Sequence, residues 1–488
     1  MPPRTVSPPV TRHETPVTIR FGTDGWRGVI ADDFTHENVR LASWAVARYV
    51  VRAENPERGV IVGYDHRFAS EKFARTAAET LTCAGIPVYL AEQASPTPAV
   101  SLLVRLRRAA GGIMITASHN PPKWNGFKYK ASYGSSALPS IIAQIEQELP
   151  AVLREGVPAL PPRPALLHSI DLRAPYLDAL DKLVDWERLK AARLRFLVDA
   201  MHGSGAGILK TLFDRHGISC EEIRASRDPL FGGANPEPIE PHIAPMHAAM
   251  LAAPPGNRFD AGFVMDGDAD RIGAMDRDGT FVTPHQIFSI LLWHLAGTRK
   301  ISGDVAKTFS VTKLVDKLAA KFGRALHETP VGFKYICELM LERDILLGGE
   351  ESGGIGTKLH IPERDAASCA LLLGEVMAWH RKSLGEIIAK LHAEFGEHHY
   401  GRVDLTLRPG QKEKALENFA NPKLTSYLAY SIEKREDLDG VKLYLGDVGW
   451  LMVRGSGTEP MLRLYAETGS AAKTRDILDR TAGLVRGL

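Results

Sequence analysis

Cysteine is scarce and scattered: Cys83, Cys220, Cys337 and Cys369 are the only four in 488 residues, with no Cys-x-x-Cys pair. That excludes a zinc-finger or disulfide framework and suits a reducing compartment. Long hydrophobic runs are missing too; nothing approaches the roughly 18 consecutive apolar residues of a membrane helix. Neither sign of charge dominates. Sixty Lys and Arg against 58 Asp and Glu leave +2, too even a balance for a nucleic-acid binder or a polybasic membrane-surface protein. No G-x-x-x-x-G-K-[ST] occurs, so nucleotide hydrolysis of the P-loop kind has no support. The cluster Gly203-Ser204-Gly205-Ala206-Gly207 lacks the G-x-G-x-x-G spacing and reads as a strand-to-helix turn. Residues 1–16 hold five prolines and no apolar stretch, which predicts a disordered leader over 1–17 rather than a secretory signal. The expectation is a cytoplasmic protein with neither nucleic-acid nor membrane partner. Monomer and homodimer both stay open.

What is present is ordinary globular composition, 44% apolar and 24% charged, at a length that divides into three or four domains of about 150 residues. Short apolar runs at 60–63, 113–116, 194–198, 262–265, 305–309 and 345–347 alternate with helical patterns such as 38–52, 208–216 and 311–322. That rhythm predicts an α/β fold of mixed or parallel sheets flanked by helices, with ligand sites in loops at the carboxyl ends of strands. The Pro-rich stretch 157–164 reads as a linker, because proline fixes φ and cannot donate to a sheet. Residues 276–279 read as a hairpin turn, and near 395 the pattern becomes α+β. The expected division is three α/β domains at 18–160, 165–277 and 278–394, then an α+β domain at 395–488.

Four polar loops follow strands. In the first, Ile113-Met-Ile-Thr116 runs into Ala117-Ser118-His119-Asn120-Pro121-Pro122-Lys123-Trp124-Asn125-Gly126-Phe127-Lys128. The prolines forbid helix continuation and leave Ser118 projecting at a strand end, with His119 and Lys128 as activating or charge-stabilising neighbours. Taken alone, a Ser-His pair in such a place is more often a capped turn. The second loop, Asp266-Gly267-Asp268-Ala269-Asp270-Arg271, sets carboxylates at alternate positions, where they can converge on one hard cation. An EF-hand is excluded, since Arg271 and Arg277 replace its glycine and glutamate and the loop follows a strand. Three close acids repel unless neutralised; magnesium, held by a few carboxylates and a phosphate oxygen, fits best. The third loop, Gly348-Gly349-Glu350-Glu351-Ser352-Gly353-Gly354, suits vicinal sugar hydroxyls, although a surface turn reads the same way. The fourth, Arg454-Gly455-Ser456-Gly457-Thr458-Glu459, offers amides, hydroxyls and a guanidinium that can cradle a phosphate. A plain hairpin is its alternative.

In this order, and with Phe21-Gly22-Thr23-Asp24-Gly25-Trp26-Arg27-Gly28 near the start, the loops resemble the α-D-phosphohexomutase family: phosphoglucomutases, phosphomannomutases and phosphoglucosamine mutases. The resemblance spans residues 18–488 and implies a heart-shaped molecule of three related α/β domains with mixed sheets and a C-terminal domain that closes over a cleft. It also implies an isomerase that interconverts hexose 1-phosphate and hexose 6-phosphate. The route is a phosphoserine and a hexose 1,6-bisphosphate, glucose 1,6-bisphosphate for glucose. Carried over position by position, Ser118 matches the phosphorylated serine. Asp266, Asp268 and Asp270, completed by the Ser118 phosphoryl group, match the Mg2+ ligands. Arg27, His119, Lys128 and Arg271 match the catalytic surround. Glu350 and Ser352 match the pair that binds sugar hydroxyls, and Lys334 lies in a second sugar-facing segment, Val331-Gly332-Phe333-Lys334-Tyr335. Arg364 takes the place of a basic residue that follows this loop in glucose enzymes. Arg454, Ser456, Gly457 and Thr458 match the grip on the substrate's non-reacting phosphate. The Glu-Glu-Ser pattern, with Gly354 where some members carry histidine, favours glucose phosphate over the mannose and glucosamine phosphates. Two other classes could use such loops: a metal-dependent phosphatase, in which water intercepts the phosphoserine, and a non-catalytic sugar-phosphate sensor. Retention of Ser118, Lys128 and three acids argues against the sensor, because binding alone needs no nucleophile.

Overall fold

The computed structural model describes residues 19–22, 24–455 and 461–488; the expected leader lies outside them. Three sheets repeat one plan. The first runs in the order Trp26–Val29, Trp124–Ala131, Gly111–Ile115, Val60–Tyr64, Val88–Ala91, Leu167–Ile170. Its last four strands are mutually parallel, and Trp124–Ala131 lies antiparallel beside Gly111–Ile115. The second runs Phe281–Val282, Ile272–Asp276, Ala261–Met265, Arg195–Asp199, Ser219–Ile223, and the third Leu326–Thr329, Asp304–Thr308, Ile345–Gly349, Ile355–Thr357. In each, a parallel set is flanked by an antiparallel strand entered directly from its parallel neighbour. The Ser118, Asp266–Asp270 and Glu350 loops are those three connections. They occupy equivalent places because the topology repeats.

Central parallel strands such as Gly111–Ile115 and Ala261–Met265 are buried along their whole length, which is why they read as unbroken apolar runs rather than alternations. Helices between them start where the side-chain chemistry says they should. Thr283 and Ser383 close capping boxes with Gln286 and Glu386, each satisfying backbone donors that a helix leaves free. The helical pattern at 311–322 is shorter in the fold, Leu314–Lys321, because the Thr312 hydroxyl accepts from the Leu314 N–H and makes a local turn instead.

The C-terminal unit is an antiparallel sheet, His399–Thr406, Met461–Thr468, Gly449–Gly455, Val441–Tyr444, Lys434–Glu436, with the helices Gln411–Ala420 and Ala471–Arg486. Its core is its own, from Leu405 to Val485. By contrast, one apolar cluster passes from Val100 and Met114 through Phe196 and Phe263 to Leu346 and Leu372, tying the first three units together. Phe309, Trp450, Met452 and Tyr465 join the fourth unit to the third.

Two strands fall on the other side of the expected divisions. Leu167–Ile170, just after the proline linker, adds to the edge of the first sheet beside Val88–Ala91. Phe281–Val282, just after the hairpin turn, pairs back onto Ile272–Asp276. An edge strand satisfies free backbone groups wherever they are exposed, and residue pattern does not say on which sheet. Among the described residues no helix is long and apolar enough to cross a membrane.

Candidate active site

Ser118 follows the strand Gly111–Ile115 with φ of +52°, a left-handed backbone that side chains other than glycine avoid. Its N–H donates to the Thr116 hydroxyl at 2.8 Å. Its own hydroxyl, in a residue only 1% exposed, donates to Asp266 Oδ2 at 2.7 Å and lies 3.4 Å from His119 Nδ1. The nucleophile candidate of the first unit and the acids of the second therefore meet directly. Burial, reinforced by Arg271, Arg27, Lys128 and Arg67, pushes the His119 imidazole well below its usual value and keeps it neutral.

The approach of the two loops depends on Gly267. A Cβ there would stand 2.6 Å from the Ser118 carbonyl oxygen and 3.1 Å from Pro236 Cγ, closer than packed atoms tolerate. Gly267→Ala should therefore separate Ser118 from the acids. Misplacement of reacting groups by about 1 Å costs on the order of 100-fold, and kcat in a steady-state mutase assay should drop by about that much. Activity within threefold of wild type would show that the loops need not touch.

Asp266, Asp268 and Asp270 are fully buried, and each presents a carboxylate oxygen within 4.8 Å of the others. Asp266 Oδ1 accepts from the N–H groups of Asp270 and Arg271 at 3.0 and 3.1 Å, which winds the loop around it. Burial, then repulsion from Asp268 and Asp270, raises the Asp266 carboxyl well above the usual range. Burial would also raise Asp268, but Lys128 and the Thr97 hydroxyl outweigh it and hold that carboxyl down. The Oδ1 atoms of Asp268 and Asp270 have no hydrogen-bond partner. Unpaired, buried, all-oxygen donors of this kind fit a hard divalent cation such as Mg2+.

Lys128 pairs with three acids. Its Nζ sits 2.9 Å from Asp24 and Asp268 and 3.1 Å from Asp270. Burial would lower it, yet those three acids raise it above its ordinary value and keep it charged. Arg364 is also buried, 2.6 Å from Asp24, 2.8 Å from Asp270 and 3.2 Å from Glu350. It thus links the first unit, the acidic loop and the sugar-loop candidate. A Cβ at Gly354 would meet Arg364 Cδ at 2.3 Å, so the arginine fills the space a side chain at 354 would need. Burial raises Glu350 to about 7, against the pull of Arg364 and with a push from Glu351. The Ser352 hydroxyl is buried without a partner.

Arg27 donates to Asn120 Oδ1 at 2.6 Å, and Arg271 Nε lies 3.9 Å from Asp270. Lys334, in the first turn of the helix Phe333–Glu342, stands 5.2 Å from the Tyr335 ring centroid and makes no ion pair with a described residue. Arg454 lies 3.0 Å from Asp439, which also accepts from the Val331 N–H at 2.9 Å. That acid ties the fourth loop's arginine to the third unit. Ser456, Gly457 and Thr458 lie outside the described residues.

Three participants escaped the sequence reading. Thr97 opens a helix of the first unit and donates to Asp268 Oδ2 at 2.5 Å. Asp24, held far below the usual carboxylate range by Lys128, Arg364 and Lys130 despite its burial, is the acid that Lys128 and Arg364 share. Arg67 lies beneath the Ser118 loop. Asp24 stood in the first motif as a signal; Thr97 and Arg67 carried none, because their partners are far away in sequence.

Comparison with known proteins shows the family. The alpha/beta/alpha domain I, II and III models and the C-terminal domain model of the phosphoglucomutase/phosphomannomutase family match residues 18–154, 174–279, 283–395 and 416–484. A phosphoglucomutase/phosphomannomutase of Thermococcus kodakarensis is 28% identical over 94% of this chain and 96% of its own. A phosphoglucosamine mutase of Saccharopolyspora erythraea is 30% identical over 96% and 99%. A crystal structure assigned as a phosphomannomutase of Thermus thermophilus superposes with a TM-score of 0.83 at 35% identity, covering 96% of this chain and 99% of that one. With all four family domains in order and relatives matched nearly end to end, the chain belongs to the phosphoglucomutase/phosphomannomutase family of isomerases.

Proposed function

We propose that this protein interconverts hexose 1-phosphate and hexose 6-phosphate, glucose favoured, through a phosphoserine at Ser118. The observation that carries the reading is the Ser118 hydroxyl bonded to an acid of a three-carboxylate loop, ringed by fixed cations, in a member of a mutase family. Phosphoryl transfer asks for alignment and charge neutralisation more than covalent assistance. A hexose hydroxyl attacks the phosphorus on Ser118; the P–Oγ bond breaks as the new P–O bond forms. The hydroxyl's proton passes to the Ser118 oxygen that is left, and His119, kept neutral and 3.4 Å from that oxygen, is placed to orient it by hydrogen bonding. Lys128, kept protonated by three acids, neutralises charge and takes no proton. Asp266, Asp268 and Asp270 would hold Mg2+, which supplies Lewis-acid neutralisation of the moving group's charge. The resulting hexose 1,6-bisphosphate turns over in the cleft and returns its other phosphoryl group to Ser118. Arg454, with Ser456, Gly457 and Thr458, would hold the phosphate that is not reacting.

Glu350 and Ser352 are the proposed acceptors and donors for sugar hydroxyls. A carboxylate with a value of about 7 is fully ionised only above it, so kcat/KM should climb as pH rises through 7. Glu350→Gln should flatten that rise while lowering the plateau, measured as a pH–rate profile. A wild-type profile flat from about 6 to 8 would contradict the role.

The preference for glucose rests on the Glu-Glu-Ser loop and on Gly354 being packed by Arg364. A glucosamine phosphate is the second reading, because a relative named phosphoglucosamine mutase matches 96% of the chain. A coupled assay comparing the 1-phosphates of glucose, mannose and glucosamine, each primed with its bisphosphate, decides between them. Highest kcat/KM with glucose 1-phosphate supports the proposal. A clear excess with either other sugar overturns the hexose, and inorganic phosphate released without isomer points to a phosphatase.

A further inference from the structure

We propose that Arg67 is the positioning residue of the phosphoryl-transfer step: its guanidinium holds the Ser118 loop in the shape that presents the hydroxyl to the acids. The inference rests on the phosphoserine reading above. Arg67 is completely buried. One terminal nitrogen, Nη2, donates to the carbonyls of Ser118 and Asn120 at 2.6 and 2.7 Å. The other, Nη1, donates to those of Pro121 and Trp124, both at 3.0 Å. Three of these carbonyls lie in the loop that carries the nucleophile, and the fourth, that of Trp124, opens the strand that follows it. The chain from 118 to 124 is in effect wrapped around one guanidinium.

Such a wrap answers two local problems. Pro121 and Pro122 have no N–H, so backbone pairing inside the loop closes only two turns, Asn120 N–H to the Ala117 carbonyl and Trp124 N–H to the Pro121 carbonyl, both at 3.0 Å, and leaves the Ser118 and Asn120 carbonyls to another donor. Ser118 is in the left-handed region at φ +52°, a conformation that persists only where the surroundings over-determine it. A planar fork with fixed donors meets both demands, and a lysine's single ammonium does not. The guanidinium is itself anchored. Asp65 Oδ2 lies 3.2 Å from its Nε, Asp65 Oδ1 accepts from the Arg67 N–H at 3.0 Å, and Ser70 Oγ donates to the same oxygen at 2.8 Å. From the second unit, the Phe231 ring covers the guanidinium at 5.0 Å, and Arg227 donates to the Arg67 carbonyl at 3.4 Å. The segment thus sits between the serine loop and the unit that supplies the acids. Arg67 touches neither Ser118 Oγ nor the candidate sugar residues, so it acts through the loop's shape.

The test begins with wild-type enzyme, whose Ser118 is charged by glucose 1,6-bisphosphate and followed by rapid quench and intact mass. If Ser118 is never phosphorylated and Ser118→Ala turns over, the underlying reading fails whatever Arg67 does. Given a phosphorylated wild type, Arg67→Lys should slow phosphorylation of Ser118 and kcat by on the order of 100-fold, the cost of a misplaced reacting group. KM for the hexose phosphate should stay within about threefold, because the sugar and distant-phosphate contacts lie elsewhere. Asp65→Asn, which leaves the guanidinium in place but loosens its anchor, should give a smaller loss of the same kind. In Arg67→Ala, added guanidinium chloride should restore part of the transfer rate. Folded Arg67→Lys or Asp65→Asn protein that transfers phosphoryl at the wild-type rate overturns the proposal. So does a variant in which KM rises in step with the loss of kcat, which would make Arg67 a general prop of the fold.

Discussion

Ser118→Ala protein should fold, bind magnesium and hexose phosphate, and turn over no substrate. In enzymes built around one nucleophile, its removal costs about a millionfold, which here means the assay floor. Alanine is no more strained than serine in the left-handed backbone, and the guanidinium of Arg67 binds the loop through main-chain carbonyls that the substitution leaves in place. The melting temperature should accordingly stay within a few degrees of wild type. What vanishes is the hydroxyl, 2.7 Å from Asp266, that the proposed route uses to give and recover the phosphoryl group. Two neighbouring hydroxyls are already engaged: that of Thr97 donates to Asp268, and that of Thr116 accepts from the Ser118 N–H. Intact mass should show one phosphoryl group on the wild type after incubation with glucose 1,6-bisphosphate and none on the variant. Turnover above about 1% of wild type would rule out the phosphoserine route.

Removal of the cation should be nearly as severe, and pH gives the result a signature. In the metal-free protein Asp266 sits well above the ordinary carboxylate range, driven by burial and by its two acidic neighbours. A group raised in this way favours the fold fully below the ordinary carboxylate value, and that contribution is lost as pH rises through the raised value. Bound magnesium takes the place of the proton and relieves the same repulsion. The thermal shift produced by magnesium should therefore grow as pH rises above the ordinary carboxylate range, and apparent affinity should weaken as pH falls. Asp268→Asn removes a ligand charge and turns an amide toward the Lys128 ammonium and the Thr97 hydroxyl. Loss of charge neutralisation at a transferring phosphoryl group is worth several kcal/mol, so kcat should fall by on the order of 1000-fold or more. Full activity in excess chelator, or a magnesium-induced shift that does not depend on pH, would contradict the site.

Residue order alone was enough to locate the four loops at the ends of strands. Buried parallel strands read as apolar runs, and the polar residues that follow them fall where a sheet's carboxyl edge opens. Prolines at 121 and 122, alternate acids at 266, 268 and 270, and glycines around Glu350 are local signals, each set by φ, charge or spacing within a few residues. The family followed from their order. The charge balance that makes the site workable was not legible. Lys128 reads in sequence as a neighbour of Ser118, but nothing local shows that it also pairs with Asp24, Asp268 and Asp270, acids drawn from two units. Arg364 fills the space over Gly354 across a turn whose course only the packed fold defines. Leu167–Ile170 joins the first sheet because that edge was open. Arg67 and Thr97 serve residues 51 and 171 positions away, and no local pattern encodes a partner at that range. The loops and the candidate residues on them were readable from residue order because backbone preference and side-chain type are local. Only the tertiary structure decided which charges meet and what holds the serine in place, since burial makes each of those pairings depend on elements that are neighbours in space alone.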